Sequence, residues 1–121
     1  MTPARVTVKD IQVATCAAFG ITMLDLLGPR RPQNLAQHRQ LAVKVARDLT
    51  GLSSPQIGRT FGGRDHSTVL FACQRAAARI ATDQTWAAKE IILLNAIPAA
   101  TAARLAKVEE YSHIELVRRI P

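Results

Sequence analysis

The chain has 121 residues, of which 48% are hydrophobic, 21% charged and 4% aromatic. This length accommodates one domain with a small extension, and the apolar content excludes a chain that is disordered throughout. The formal net charge of +7 favours a polyanionic partner.

The excess positive charge lies entirely in the first two thirds of the chain. Residues 1–80 contain eleven Lys and Arg and four Asp, whereas residues 81–121 contain five residues of each sign. A solvated surface without a polyanion partner would not divide so cleanly. We therefore expect the polyanion to bind to the first two thirds.

The sequence gives no sign of secretion or membrane insertion. Cys16 and Cys73 lie far apart in apolar helical patterns, which is typical of a reduced, cytoplasmic protein rather than a disulfide framework. The N-terminus lacks the apolar core of a signal peptide. The longest apolar run, residues 91–106, is interrupted by Pro98 and Arg104, so we expect no membrane span.

Apolar residues recur at helical spacing along most of the chain and predict an all-α fold. A first helix begins after Thr7 as its N-cap, with Asp10 three positions later as a weaker equivalent of the capping-box Glu, and it ends at Gly20. A short turn of helix is expected at residues 24–27, and an amphipathic helix at residues 35–49.

Residues 53–80 have the pattern of a helix-turn-helix. Ser53 and Gln56 form a capping box for a short helix that ends before Gly62 and Gly63. Asp65 then caps a longer helix, whose apolar stripe consists of Val69, Leu70, Cys73, Ala76, Ala77 and Ile80. A short helix, a tight turn and a longer amphipathic helix are typical of this motif.

Beyond Thr82 the sequence predicts a neutral helical extension. Residues 86–96 and about 99–117 each favour a helix, separated by Pro98 because proline lacks a backbone N–H. We therefore divide the chain into a helix-turn-helix domain at residues 1–81 and an extension of unknown role at residues 82–121. Trp86 and Tyr111 are expected to be core residues of the extension.

Residues 58–70, with the run Gly-Gly-Arg-Asp-His-Ser-Thr, resemble the signature of the C-terminal DNA-binding domain (domain IV) of the bacterial replication initiator DnaA. The resemblance extends from about residue 6 to residue 80. It includes Asp10-Ile11-Gln12, Arg30-Arg31, Arg39-Gln40 and Leu49-Thr50-Gly51. It implies binding to double-stranded DNA at A/T-rich DnaA boxes.

The resemblance implies that bases are read from the start of the second helix of the motif, by Asp65, His66, Ser67 and Thr68. A helix fits the major groove, and residues near its N-terminus reach the base edges. A carboxylate accepts a hydrogen bond from a cytosine amino group, and the imidazole contacts a base edge or a thymine methyl group. Ser67 replaces the usual Thr of the family, which removes one methyl group.

Further contacts are implied by the same matching. Arg31 corresponds to an arginine that enters the adjacent minor groove, which in A/T-rich DNA is narrow and strongly negative. Pro55 belongs to a Ser-Pro pair that matches a Leu-Pro pair close to the bases. Phosphate contacts are expected from Arg30, Arg39, Lys44, Arg47, Arg59 and Arg64. Pro32, Gln33 and Gln37 occupy a loop that is more basic in the family, so we expect a weaker salt dependence.

Neither catalysis nor a bound metal or other cofactor is expected. Asp65, His66 and Ser67 are adjacent on a helix and point about 100° apart, so they cannot form a proton relay. His38 and His113 lack partners at metal-ligand spacing and are expected at the surface. The chain also lacks the phosphate-binding loop of an ATPase.

Phe71 lies off the apolar stripe, where the family often has a polar residue. We expect its ring to pack under the C-terminal helices, with contact to DNA or to a partner protein as the alternative.

Together these patterns predict a bacterial or phage protein, cytoplasmic and associated with the nucleoid, that binds specific duplex sites. It would regulate replication initiation or transcription without ATPase activity. The alternative is a protein-interaction adaptor that uses the C-terminal helices and binds DNA weakly and without specificity. Full-length DnaA and a second copy of the chain are the candidate protein partners of residues 82–121.

Overall fold

A computed structural model describes residues 5–29 and 32–118, with side chains described as far as residue 107. The elements are α1 (Val8–Phe19), α2 (Met23–Leu27), α3 (Gln33–Thr50), α4 (Ser54–Thr60), α5 (His66–Thr82) and α6 (Gln84–Arg118). These described residues contain no strand, and the predicted all-α fold is confirmed.

Local sequence signals set the helix boundaries. The Thr7 hydroxyl accepts from the Asp10 backbone N–H at 3.1 Å while the Asp10 carboxylate accepts from the Thr7 N–H at 3.0 Å, which completes the predicted capping box. The equivalent box joins Ser53 and Gln56 at the start of α4. Such caps satisfy backbone N–H groups that have no partner within the helix.

One hydrophobic core holds all six helices together. Its side chains without solvent exposure are Ile11, Leu26, Leu41, Ala42, Ala46, Ile57, Phe61 and Leu93. Trp86 and Ile97 of α6 belong to the same cluster, so Trp86 is buried as predicted. These residues of α6 complete the core that residues before position 81 form. The helix α6 packs mainly on α1.

The prediction of two C-terminal helices is wrong, because α6 runs from Gln84 to Arg118 with Pro98 inside it. Ile97 and Thr101, on either side of the proline, are buried and hold both parts of the helix against the rest of the fold. Pro98 itself is exposed, as is Leu94 one turn earlier. The Leu94 carbonyl that loses its helical partner is thus on the solvent side, where water can replace the hydrogen bond.

A buried carboxylate fastens α6 to the N-terminus of α1. Asp10 is 1% exposed and accepts hydrogen bonds from Arg104 Nε at 2.8 Å and from Thr101 Oγ1 at 3.0 Å. Burial alone would raise the pKa of Asp10, but the donors from Arg104, Thr7 and Thr101 outweigh it and lower the pKa below its ordinary value.

His38 is buried, not at the surface as predicted. Its ring lies 4.8 Å from Phe19 and 4.9 Å from Trp86, centroid to centroid. Nδ1 donates to the Asn34 carbonyl at 2.8 Å, which leaves Nε2 to accept from Lys89 Nζ at 3.0 Å. His113 lies outside the described side chains. Within the described ranges, none of the helices has the apolar length that crossing a bilayer requires.

Replacing Arg104 with Ala should lower the free energy of unfolding, because the buried Asp10 carboxylate loses its charged donor. Urea denaturation measures this change. Lys107→Ala removes an exposed cation from the same helix and should stay within about 0.5 kcal/mol of the parent. Equal stability of both variants would contradict the role assigned to Asp10.

Acidification should destabilise the fold through His38. Burial lowers its pKa from the ordinary value of 6.5, and the Lys89 charge lowers it further against the effect of the Asn34 hydrogen bond. The unfolded chain therefore takes up a proton before the folded chain does, and stability falls as the pH drops below about 6.5. Between pH 8 and pH 5, the midpoint temperature of thermal unfolding should fall less for His38→Phe than for the parent. Exposed His66→Ala is the control and should behave as the parent does.

Candidate nucleic-acid interface

The α4–α5 turn packs tightly against its surroundings. The Arg64 N–H donates to the Gly58 carbonyl at 2.8 Å, and a Cβ on Gly58 would lie 2.0 Å from the Arg64 carbonyl oxygen. Gly62 has φ +78°, and a Cβ there would lie 2.2 Å from the Leu27 carbonyl oxygen. Only glycine fits these two positions, and the turn therefore fixes the direction in which α5 leaves α4.

Two arginines expected to contact phosphate instead hold backbone carbonyls inside the fold. Arg39 is buried, and its guanidinium donates to the carbonyls of Leu26 at 2.6 Å and Asp25 at 2.8 Å. Arg64 is half-buried and donates to the carbonyls of Gly28 at 2.7 Å and Leu27 at 3.2 Å, and also to that of Phe61. Arg39 thus joins the end of α2 to α3, and Arg64 joins it to the α4–α5 turn.

Lys44 also has partners within the fold. Its ammonium group lies 2.7 Å from the Asp48 carboxylate and 2.8 Å from that of Glu90 on α6. Burial would lower the pKa of Lys44, but the two carboxylates raise it above its ordinary value. A phosphate contact by Arg39, Lys44 or Arg64 would exchange these bonds for a ligand, and the contacts expected for them stay predictions.

The four predicted base-reading residues come together at the N-terminus of α5, and all four are exposed: Asp65, His66, Ser67 and Thr68. Asp65 is the N-cap and accepts from the Ser67 backbone N–H at 3.2 Å. Its second oxygen lies 3.4 Å from His66 Nδ1. The hydrogen bonds from Ser67 hold the pKa of the Asp65 carboxyl below its ordinary value, so this group is an acceptor at neutral pH.

The remaining predicted contacts lie on α3 and α4 or outside the described residues. Pro55 is exposed in the first turn of α4, whereas its neighbour Ser54 is buried. Arg47 and Arg59 are exposed on α3 and α4. Arg30 and Arg31 lie outside the described residues.

Phe71 does not pack under α6, contrary to the expectation. It is 55% exposed, and the Arg75 guanidinium carbon lies 5.5 Å from its ring centroid. Gln74 and Arg75 were not singled out from the sequence, yet both are exposed on α5. The helical period is the signal for these two residues, because Gln74 follows Ser67 by seven positions and Arg75 follows Phe71 by four.

Among the described residues, no three His, Cys, Asp or Glu side chains lie close enough together to hold a metal ion. The arrangement at α5 offers one carboxylate, one imidazole and two hydroxyls to solvent, all on a helix end whose backbone N–H groups favour anions. Such a tip can donate to and accept from a polar, negatively charged surface.

Comparison with known proteins places these residues in a family. Residues 8–76 match the family model described as the bacterial dnaA protein helix-turn-helix. The chain is 49% identical over 79 residues to a chromosomal replication initiator protein DnaA from Caulobacter sp. (strain K31), covering 65% of this chain and 16% of that protein.

Other similar proteins bear the same name. One from Acinetobacter baumannii is 47% identical over 73 residues, covering 60% of this chain and 16% of that protein. One from Nitrobacter hamburgensis is 42% identical over 83 residues, covering 69% and 18%. The chain thus matches less than one fifth of the length of these relatives. With a family match over more than half its residues and the helix-turn-helix in place, the chain belongs to the bacterial DnaA helix-turn-helix family.

Proposed function

We propose that this protein binds specific sites in double-stranded DNA, of the DnaA-box type, by placing the N-terminus of α5 in the major groove. The observation that carries the proposal is the exposed cluster of Asp65, His66, Ser67 and Thr68 at a helix end held by a tightly packed turn. The major groove is about 12 Å wide and admits one α-helix.

Each exposed group has a counterpart on a base edge. The Asp65 carboxylate suits a cytosine amino group, and the His66 imidazole suits a purine acceptor or a thymine methyl group. The hydroxyls of Ser67 and Thr68 bond either to bases or to phosphate. Because the Asp65 side chain is already oriented by the Ser67 N–H, little conformational entropy is lost on binding.

Positive charge would hold the duplex against this tip. Arg47 and Arg59 are the exposed arginines of α3 and α4, and we propose them as the main phosphate contacts. Arg31, as the family match implies, would enter the neighbouring minor groove. Arg39 and Arg64 support this surface from behind by orienting the end of α2.

We further propose that the protein acts by occupying sites, as a regulator of replication initiation or of transcription at the nucleoid, without ATP hydrolysis. Residues 8–76 match the helix-turn-helix family model, and the similarity to the Caulobacter DnaA covers 16% of that protein. Competition with a full-length initiator for its boxes needs no more than binding by this segment.

A protein-interaction adaptor is the second candidate function, because α6 exposes Ile91, Ile92 and Leu94. The adaptor hypothesis predicts weak DNA binding that is indifferent to sequence, whereas the regulator hypothesis predicts a specific site bound about a thousandfold more tightly than scrambled DNA. Selection of bound duplexes from a random pool, followed by titration of selected and scrambled duplexes, separates the two. Failure to enrich any sequence would reject the regulator.

His66→Ala and Asp65→Ala should each reduce discrimination by about 1–3 kcal/mol at one or two base pairs of the selected site. Competition binding with single-base-pair variants of the site measures this. Asp83→Ala is the matched control, because Asp83 is exposed and accepts from the Thr85 backbone N–H just as Asp65 does from that of Ser67. Unchanged base preference in both α5 variants would show that these residues do not read the sequence.

Arg47→Ala and Arg59→Ala should weaken binding to specific and scrambled duplexes alike, because phosphate contacts carry no sequence information. In each variant, log affinity should fall less steeply with log salt concentration, with a slope smaller in magnitude by about 0.9. Lys107→Ala, which removes an exposed cation from α6, should leave the slope unchanged. A slope equal to the parent's in both arginine variants would remove them from the interface.

A further inference from the structure

Phe71 lies on the outer face of α5 with 55% of its surface exposed. Val69, Ala72 and Ala76 are buried where α3, α4 and α6 pack against α5, whereas Phe71 borders an open groove that Ala36 and Gln40 of α3 also line. The ring is therefore not a core residue that protrudes slightly, and it remains available for contact after the fold is complete.

The position of Phe71 relative to the reading tip is set by the helix. It follows Ser67 by four residues, so the two side chains lie one above the other on the same face. Recognition helices in the major groove use this spacing: homeodomains contact DNA from positions i, i+3, i+4 and i+7. In α5 these positions are Ser67, Leu70, Phe71 and Gln74, and all four are exposed.

The chemistry of the side chain limits what it can recognise. A phenyl ring neither donates nor accepts ordinary hydrogen bonds, so it cannot read the polar edges of bases. The one apolar feature that bases present in the major groove is the C5 methyl group of thymine. Arg75 places its guanidinium carbon 5.5 Å from the ring centroid, which adds positive charge beside the ring and favours a nucleic acid over an apolar protein surface.

We infer that Phe71 is a specificity-determining residue that contacts a thymine methyl group, adjacent to the bases read by the N-terminal tip of α5. The inference rests on the proposed duplex-binding function. Phe71 would supply an apolar contact one helical turn beyond Ser67. Ser67 itself offers a hydroxyl but lacks the methyl group of threonine. Arg75 would then face the phosphates that border the same thymine.

Replacement of thymine by deoxyuridine, one position at a time, tests the inference. The probes are the duplex selected from the random pool and its single deoxyuridine derivatives, each titrated with the parent and with Phe71→Ala. For the parent, loss of the contacted methyl group should weaken binding about fourfold at one or two positions. For Phe71→Ala the thymine duplex should itself bind more weakly, and those positions should become insensitive to the methyl group.

Ile91→Ala is the matched control, since Ile91 is 59% exposed on α6 and should retain the parent's full methyl sensitivity. Because Phe71 lies outside the core, the variant should fold, and circular dichroism verifies this. Phe71→Leu should retain part of the sensitivity.

The result that overturns the inference is a parent and Phe71→Ala with the same penalty at every thymine, while both still prefer the selected site to scrambled DNA. Loss of that preference in the parent itself would instead reject the proposed function, and the inference with it.

Discussion

The close contact between the α4–α5 turn and its neighbours fixes the N-terminus of α5. Gly58 and Gly62 lie so close to the backbone carbonyls of Arg64 and Leu27 that no side-chain carbon fits at either glycine. Arg64 and Arg39 then use their guanidinium groups to hold the carbonyls at the end of α2. Glycines and arginines, which are usually found in loops and at the surface, thus fix the position of the N-terminus of α5.

That helix end combines a fixed backbone with exposed polar side chains. Asp65 caps the N-terminus of α5 and remains exposed, so the same carboxylate stabilises the helix and is available to a ligand. Asp10, in contrast, is buried and accepts hydrogen bonds from Thr101 and Arg104 of α6. Both are capping aspartates, and only their surroundings assign one to an interface and the other to the interior.

Local signals were sufficient to predict the helix boundaries at Thr7, Ser53 and Asp65, because capping depends on residues within three positions of each other. Contacts between distant segments were not predictable. Arg39 and Lys44 were expected on the polar face of their helix and His38 at the surface, yet they have partners 13, 46 and 51 positions away. Pro98 was expected to end a helix, but packing on both sides of it outweighs the loss of one hydrogen bond. The motif also predicted that residues 65–68 cluster at the start of α5. The exposure of Phe71 could not be predicted, because it depends on where α6 packs.

In the proposed complex a duplex contacts the outer face of α5 at its N-terminal end. Titration of the ¹⁵N-labelled protein with the selected duplex locates this contact through the backbone amide signals in two-dimensional spectra. We expect the largest shifts at residues 65–71, with smaller ones near Arg47 and Arg59 and almost none at residues 91–105. Largest shifts on α6 with an unaffected α5 N-terminus would contradict this arrangement.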